Sequence, residues 1–548
     1  MKESRDILTL FEQLNSHEVF TPPRVAREML ALLPKDIWCD PSIRILDPCV
    51  KSGVFLREAL YLLIDGLAGK GKYVGHDGIE YDLNDGQQRM NHILKNMLFG
   101  IATSELTGYI SRRTLYGVME ANTDKQTALI DAFEKSKSHK KWTEEEKVRF
   151  LVRNHFNEYY DHGLFSTPDY AGFEHEGNIF YPTAEVNKKV DDSDAFIIED
   201  TYYPFIEEQV NHGKIQQIKD GQMKFDVVIG NPPYQVSDGG DKDGERGRGG
   251  AVPVYNKFID SARALKPRFL SMIIPARWYS GGRGLDKFRA SMLSSGKISH
   301  LVDFPKSTDC FPGVEVKGGI CYFLEDKTHI GDCSVTVRLN GKETLSVRPL
   351  LEKESSVFIR YNELASIRKK VGALAEKSFS DFVSTQKPFG LRTFFKGHEV
   401  GEDGDLVLFR NGGKSYVSES ELLSNKHLVG EHKIFITMAY GAGEDFPHQI
   451  INKPFYGEPG TCCTETYVLV GPFSSKEESE NALSYMKTKF FRAMVLIKKN
   501  TQHASKGVYD FVPVVDLKKR WTDEDLYQKY KLDEKEIEFI ESMIKPME

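Results

Sequence analysis

The stretch whose residue types could carry chemistry is Asn231-Pro232-Pro233-Tyr234. The Asn231 side chain offers an amide oxygen, and the Asn231-Pro232 peptide offers a carbonyl with no N–H on the proline to compete. Two acceptors fixed side by side suit a donor with two hydrogens, such as the exocyclic amine of adenine. Tyr234 follows at once and adds an aromatic face on which a planar base could stack. A strand-ending turn that happens to use Asn and Pro is the plainer alternative.

The elements around this tetrapeptide favour the chemical reading. Phe225 to Ile229 is a short, apolar, β-branched run of the kind that makes a strand buried on both faces, and Gly230 with two prolines ends it. The tetrapeptide therefore lies at a strand's carboxyl end, where open α/β sheets place their ligands. Earlier in the chain, Ile43-Arg44-Ile45-Leu46-Asp47-Pro48 leads through Gly53 into an apolar helical stretch. That is the strand, turn and helix which open a doubly wound nucleotide-binding sheet. Asp47 at the strand end can hold an ammonium group, and Gly53 lets backbone approach a bulky cofactor. Before it, Thr21-Pro22-Pro23 precedes a helical pattern, with Thr21 expected as the N-cap and the prolines in the first turn. A helix start of this kind can hold a carboxylate, although a capped surface helix would read the same way.

Further α/β alternation follows. Phe99-Gly100-Ile101-Ala102 is expected as a second strand; an acid binding ribose hydroxyls belongs near its end, and Glu105 is the nearest carboxylate. Residues 117–195 are polar and without clear period, which marks an inserted subdomain. The sheet resumes at Ala195-Phe196-Ile197-Ile198, with Asp200 just beyond as a candidate acceptor for a purine amine. Residues 237–250 are too rich in glycine to pack into a core and are expected to be a mobile loop. Strands at Phe269-Pro275, Ile298-Phe304 and Gly319-Leu324 then predict an antiparallel edge on a mostly parallel Rossmann-like sheet, with Phe311 held there by proline and glycine. Beyond about residue 335 the pattern changes to short strands and turns. Two basic and aromatic stretches there, Tyr485 to Arg492 and Lys498 to Lys506, have the composition of a groove reader.

At 548 residues, with 40% hydrophobic and 28% charged content, the chain has room for two or three domains of ordinary solubility. No apolar run is long enough to cross a bilayer and the start lacks a secretion signal, so a cytoplasmic protein without a membrane partner is expected. Seven scattered cysteines with no CxxC pair exclude a zinc framework and point to reduced thiols. A formal charge of -7 leaves polyanion binding open, because cations can gather on one face.

Taken together, Thr21-Pro22-Pro23, Asp47-Pro48 through Gly53, Asn231-Pro232-Pro233-Tyr234 and a divergent C-terminal region resemble the N6-adenine DNA methyltransferases of restriction-modification systems. The resemblance covers residues 18 to about 330. It implies a methyltransferase domain at 1–335, with the insertion at about 117–195, and a mixed α+β target-recognition domain at 336–548. S-adenosylmethionine is the implied cofactor, met by Thr21, Asp47, Pro48 and Gly53. Double-stranded DNA is the implied partner, with room for a separate restriction endonuclease. Asn231 and Pro232 would accept from the target N6, and Tyr234 and Phe311 would sandwich the flipped base. The chain departs from the family where Lys51 takes the place of the first glycine of the cofactor loop, so that it either meets the cofactor or turns outward. Methylation of a protein amide, or a DNA-binding subunit that keeps the fold without turnover, are the alternatives.

Overall fold

A computed structural model describes residues 21–102, 111, 114–115, 224–236, 252–279, 284–353, 355, 357–441, 446–499 and 503–547, with the backbone of three short strands between 173 and 198. The expected helix at 7–11, Glu105, Asp200, the glycine-rich segment at 237–250 and nearly all of the insertion lie outside the described residues. The chain divides into two compact units, Met1–Glu343 with Val347–Pro349, and Thr344–Ser346 with Leu350–Glu548.

The first unit is built on one sheet. Its strands in chain order are β1 (Ile45–Val50), β2 (Leu98–Ala102), β3 (Ile197–Ile198), β4 (Val227–Gly230), β5 (Phe269–Pro275), β6 (Ile298–Phe304), β7 (Ile320–Asp326), β8 (Cys333–Leu339) and β9 (Lys342–Arg348). In space they run β9-β8-β6-β7-β5-β4-β1-β2-β3. Neighbours from β3 to β5 are parallel, and β7 is antiparallel to both β5 and β6. Every residue of β1, β4 and β5 is buried, which is why these strands read as continuous apolar runs and not as alternating ones. The expected strands at 99–102, 195–198, 269–275, 298–304 and 319–324 are all present within a residue or two. The antiparallel strand β7 sits between β5 and β6, with β6, β8 and β9 beyond it toward the sheet's end.

Helices α1 (Pro23–Ala31), α2 (Val54–Gly66) and α3 (Gly86–Asn96) pack their apolar residues into the core around β1, which also receives Phe311 and Tyr322. The start of α1 differs from expectation. Its N-cap is Pro22, with no side-chain cap, so Thr21 lies one residue too early to close the helix end. Helices α4 (Tyr255–Ala264) and α5 (Asp286–Ser294) follow later in the unit.

The second unit contains two small sheets and a helical cluster. In the first sheet β10 (Leu406–Arg410) pairs with β11 (Gly413–Val417) and with β14 (Thr461–Cys463); in the second, β12 (His432–Thr437) pairs with β13 (Phe455–Gly457) and β15 (Tyr467–Phe473). Helices α6 (Asn362–Gly372), α7 (Lys476–Lys487), α8 (Lys489–Leu496), α9 (Asp523–Lys529) and α10 (Glu534–Met543) complete it. One expectation fails here. Tyr485, Phe490, Phe491 and Arg492 are all 0% exposed, and so form core, not a groove surface. Helical spacing explains part of it, because Phe490 and Met494 stand four residues apart on one face of α8 and both are fully buried. In the second stretch Lys498 pairs with Asp510 and the Lys499 ammonium donates to the Tyr440 carbonyl, while Asn500 to Gln502 lie outside the described residues.

Candidate active site

The centre of the sheet is where the chain direction switches. From β1 the connections run one way to β2 and β3, while β4 and β5 lie on its other side. The loops leaving β1 and β4 therefore face each other across the crevice in which doubly wound folds bind ligands. One carries Asp47 to Gly53, the other Asn231 to Tyr234.

These two loops are in contact through Gly230. A Cβ added there would lie 2.7 Å from the Asp47 Oδ1, so only glycine lets the end of β4 lie against the carboxylate. Asp47 is 2% exposed and its Oδ1 accepts from the Cys49 N–H at 3.0 Å. Burial pushes its pKa up to about 7, opposed by that hydrogen bond and by the charge of Lys51. Lys51 is itself buried at 7%, turned inward on the loop, so the outward orientation allowed by the sequence is not adopted. Gly53 begins α2 with a φ of 76°, and an added Cβ would stand 3.0 Å from Ser111, which makes glycine necessary twice over.

Asn231 is 3% exposed, and its Nδ2 donates to the Thr21 Oγ1 at 3.1 Å across 210 residues of sequence. Thr21, at 3% exposure, thus orients the amide. With the nitrogen held by a hydroxyl, the amide oxygen is turned to the opposite side. Pro232 is buried, and Pro233 and Tyr234 are half-buried. The Tyr234 ring packs against the core cluster that contains Phe311, and its hydroxyl is buried with no hydrogen-bond partner among the described residues. Burial, with the Cys310 and Cys321 thiols nearby, raises that phenol well above its ordinary pKa. Phe311 is 1% exposed. It opens a tight turn in which the Val314 N–H donates to the Phe311 carbonyl and Gly313 has a φ of 78°, the arrangement that Pro followed by Gly favours. Its ring lies in the core, so an open clamp on one side of a base is not what this conformation presents.

Two residues that the sequence did not single out tie the site together. Arg24, on the first turn of α1, reaches the carbonyls of Asp309 and Cys310 just before Phe311, both at 3.4 Å. Glu28, one turn on, accepts from Arg24, Arg338 and the Tyr322 hydroxyl. The i,i+4 spacing of Arg24 and Glu28 is visible in sequence; their distant partners are not. Helix α1 therefore touches both the Asn231 loop and the Phe311 turn. Among the described residues no group of His, Cys, Asp and Glu is arranged to hold a metal ion, and no helix is long and apolar enough to cross a membrane.

The sheet is a doubly wound, Rossmann-like one, with a buried carboxylate and an oriented amide where its chain direction switches. Residues 96–311 match the Eco57I restriction-modification methylase family. An adenine-specific methylase of Mycoplasma pneumoniae is 33% identical over 353 residues, which cover 62% of this chain and 74% of that protein. The chain belongs to this family of restriction-modification adenine methylases. Among solved structures, a modification subunit of a type I restriction enzyme from Vibrio vulnificus is similar at 12% identity over 63% of this chain and 49% of its own, with a TM-score of 0.29. The type IIL restriction-modification enzyme MmeI, solved with DNA, is similar at 11% identity over 92% of this chain and 65% of its own, with a TM-score of 0.39. The chain thus spans about half to two thirds of the length of those solved chains.

Proposed function

We propose that the protein transfers a methyl group from S-adenosylmethionine to adenine N6 at a specific sequence in double-stranded DNA, with the target base flipped out of the helix. The observation that supports it most is the hydrogen bond from Asn231 to Thr21, which fixes the orientation of the amide beside the Asp47 carboxylate.

The residues of the crevice fit the cofactor. A buried carboxylate whose charge is only partly compensated gains from a cation, and Gly230 and Gly53 let the strand end and the turn close against Asp47 and Ser111, which fixes the loop backbone beside that carboxylate. Asp47 would hold the ammonium end, with Pro48 and Gly53 along the body of the molecule, and Thr21 close to its carboxylate. When bound, the cofactor supplies an electrophilic methyl group on a sulfonium.

The chain's own contribution is to prepare the amine. Adenine N6 is a weak nucleophile because its lone pair is delocalised into the ring. Acceptance of its two hydrogens by the Asn231 Oδ1 and the Pro232 carbonyl favours a pyramidal nitrogen, which exposes that lone pair toward the methyl group. The catalysis is positioning and electrostatics, with no covalent enzyme intermediate. Extrusion of the base costs roughly a few kcal/mol, offset by stacking on Tyr234 and by phosphate contacts. In this reading Phe311 completes the base pocket only after its turn opens, target recognition belongs to the second unit, and a separate endonuclease is the partner that makes the mark useful.

Single-molecule sequencing of DNA from cells expressing the protein tests this. N6-methyladenine at one sequence motif is expected with the wild type, and Asn231→Ala should lower turnover by about 10²–10³-fold while leaving cofactor affinity intact. Undiminished marks in the variant would remove Asn231 from the mechanism.

A further inference from the structure

The second unit carries a surface that its sequence does not advertise. Phe395 N–H donates to the Arg392 carbonyl at 3.0 Å, which closes a turn with Thr393 and Phe394 at its tip. Phe394 is 81% exposed. The chain before it is anchored, since Phe389 is 0% and Leu391 3% exposed in the core of the first small sheet, and Phe395 just after it packs against the same core.

The turn is pinned from outside as well. Glu465 accepts from both the backbone N–H and the hydroxyl of Thr393, at 3.1 and 3.3 Å, and its other oxygen lies 3.9 Å from Lys387 and 3.8 Å from Arg392. On the far flank of the turn the Ser415 hydroxyl donates to the Lys396 carbonyl at 2.6 Å and accepts from Arg410 at 3.2 Å. Three cations, Lys387, Arg392 and Arg410, are thus placed on the flanks of the turn by side-chain bonds, two of them sharing Glu465, and Lys396 is fixed there through its backbone carbonyl. The acids Glu399, Glu402, Asp403 and Asp405 come only after Gly397. A second exposed apolar side chain, Leu423 at 78%, joins the patch where its N–H donates to the Phe389 carbonyl.

A lone exposed phenylalanine would be unremarkable. One held on a pinned turn with cations on its flanks has the two features that nucleic acid asks for, which are charge for phosphates and an apolar ring for a base or sugar face. We propose that the Thr393-Phe394 turn and its cationic rim are a DNA-contact surface, with Phe394 packing on a base or sugar and Lys387, Arg392, Lys396 and Arg410 meeting phosphates. This rests on the DNA substrate proposed above.

The test uses the full chain and a randomised DNA duplex, with affinity followed by fluorescence anisotropy across a salt series. Phe394→Ala is expected to weaken binding about tenfold, and Phe394→Trp to retain it. Arg392→Ala should lower the steepness of the salt dependence by about one phosphate contact. All three variants should keep the wild-type melting temperature and cofactor affinity. If Phe394→Ala binds duplex as well as wild type, while Asn231→Ala still abolishes methylation, the surface assignment falls and the methyltransferase reading stands. Should the wild type bind no duplex and leave no marks, both fall. A change of oligomeric state on light scattering, with duplex affinity unaltered, would make the patch a protein interface and overturn the proposal.

Discussion

Each unit buries a charge, and the two are treated differently. Asp47 in the first unit is 2% exposed and receives one backbone hydrogen bond, so burial still pushes its pKa up to about 7. Arg492 in the second is 0% exposed, and its guanidinium donates to four carbonyls, those of Thr488, Gln449, Lys545 and Lys487. Burial lowers it to about 10, which still leaves it a cation at neutral pH. The arginine's hydrogen-bonding needs are met by the fold itself, as befits a structural strut. Among the described residues the aspartate's are met less fully, by the Cys49 N–H and the charge of Lys51, and on the proposed function a cationic ligand supplies the remainder. Burial alone therefore does not mark a functional charge, and incomplete compensation is what singles out Asp47 for test.

The largest effect expected from this contrast is on stability. Arg492→Ala removes the guanidinium from four carbonyls, of which those of Thr488 and Gln449 keep a backbone N–H donor, and should destabilise the second unit by on the order of 4 kcal/mol, measured by denaturant unfolding. Cofactor affinity of the protein that remains folded should not change. Were Arg492→Ala to unfold no more easily than wild type, the distinction between a compensated and an uncompensated buried charge would fail.

Next in size is Asp47→Asn, which should weaken binding while the ligand-free fold at neutral pH is no less stable, because the neutral amide carries no buried charge. Loss of the carboxylate is expected to weaken S-adenosylmethionine by about 10- to 100-fold in calorimetry, or roughly 1.4–2.8 kcal/mol. The pH dependence has a definite sign. With a folded-state pKa raised from 3.8 to about 7, the fold prefers the protonated acid, so the ligand-free protein loses stability as pH rises from about 4 through 7. A cationic ligand prefers the ionised acid. Binding at pH 6 should thus release nearly one proton, and binding well above pH 7 none, read from calorimetry in buffers of different ionisation enthalpy. Asp47→Asn should abolish that release, and release at pH 6 that survives the substitution would place the titrating group elsewhere.

How much of this was legible in the sequence differs between the units for a physical reason. In the first, strands covered on both faces write themselves as mostly apolar runs, and the motifs lie at their ends, so the strands from β1 to β7 could be anticipated along the chain, though not their order in the sheet. What stayed hidden were contacts across long separations. Thr21 has the form of a helix cap, but Pro22 occupies that position, and the threonine hydroxyl instead holds an amide 210 residues away. Gly230 reads only as a strand stop, although its lack of a Cβ is what admits Asp47. Phe311 was placed correctly near a Pro-Gly turn, yet composition does not say which way a ring points, and it points into the core. In the second unit the basic and aromatic stretch at 485–492 was misleading because interleaving fixes no exposure. The useful signals were Thr488, which caps α8 by accepting from the Phe491 N–H, and the four-residue recurrence of apolar side chains.

That misleading stretch supplies the smallest effect and a direct control on the surface assignment. Lys487 and Lys489 flank the α7-α8 junction, and Lys489 forms an ion pair with Glu541. If a run of cations and aromatics were enough to make a groove reader, removing both lysines should flatten the salt dependence of DNA binding by about two phosphate contacts. On the structural argument the segment is a helix junction whose rings face inward, and its lysines have no apolar partner presented alongside them. The double substitution Lys487→Ala with Lys489→Ala should then leave duplex affinity and its salt slope unchanged, and cost at most about 1 kcal/mol of stability for the lost ion pair. Arg392→Ala, one cation removed and not two, should change the slope more. A larger loss from the lysine pair would move the DNA surface from the Phe394 turn to the α7-α8 junction.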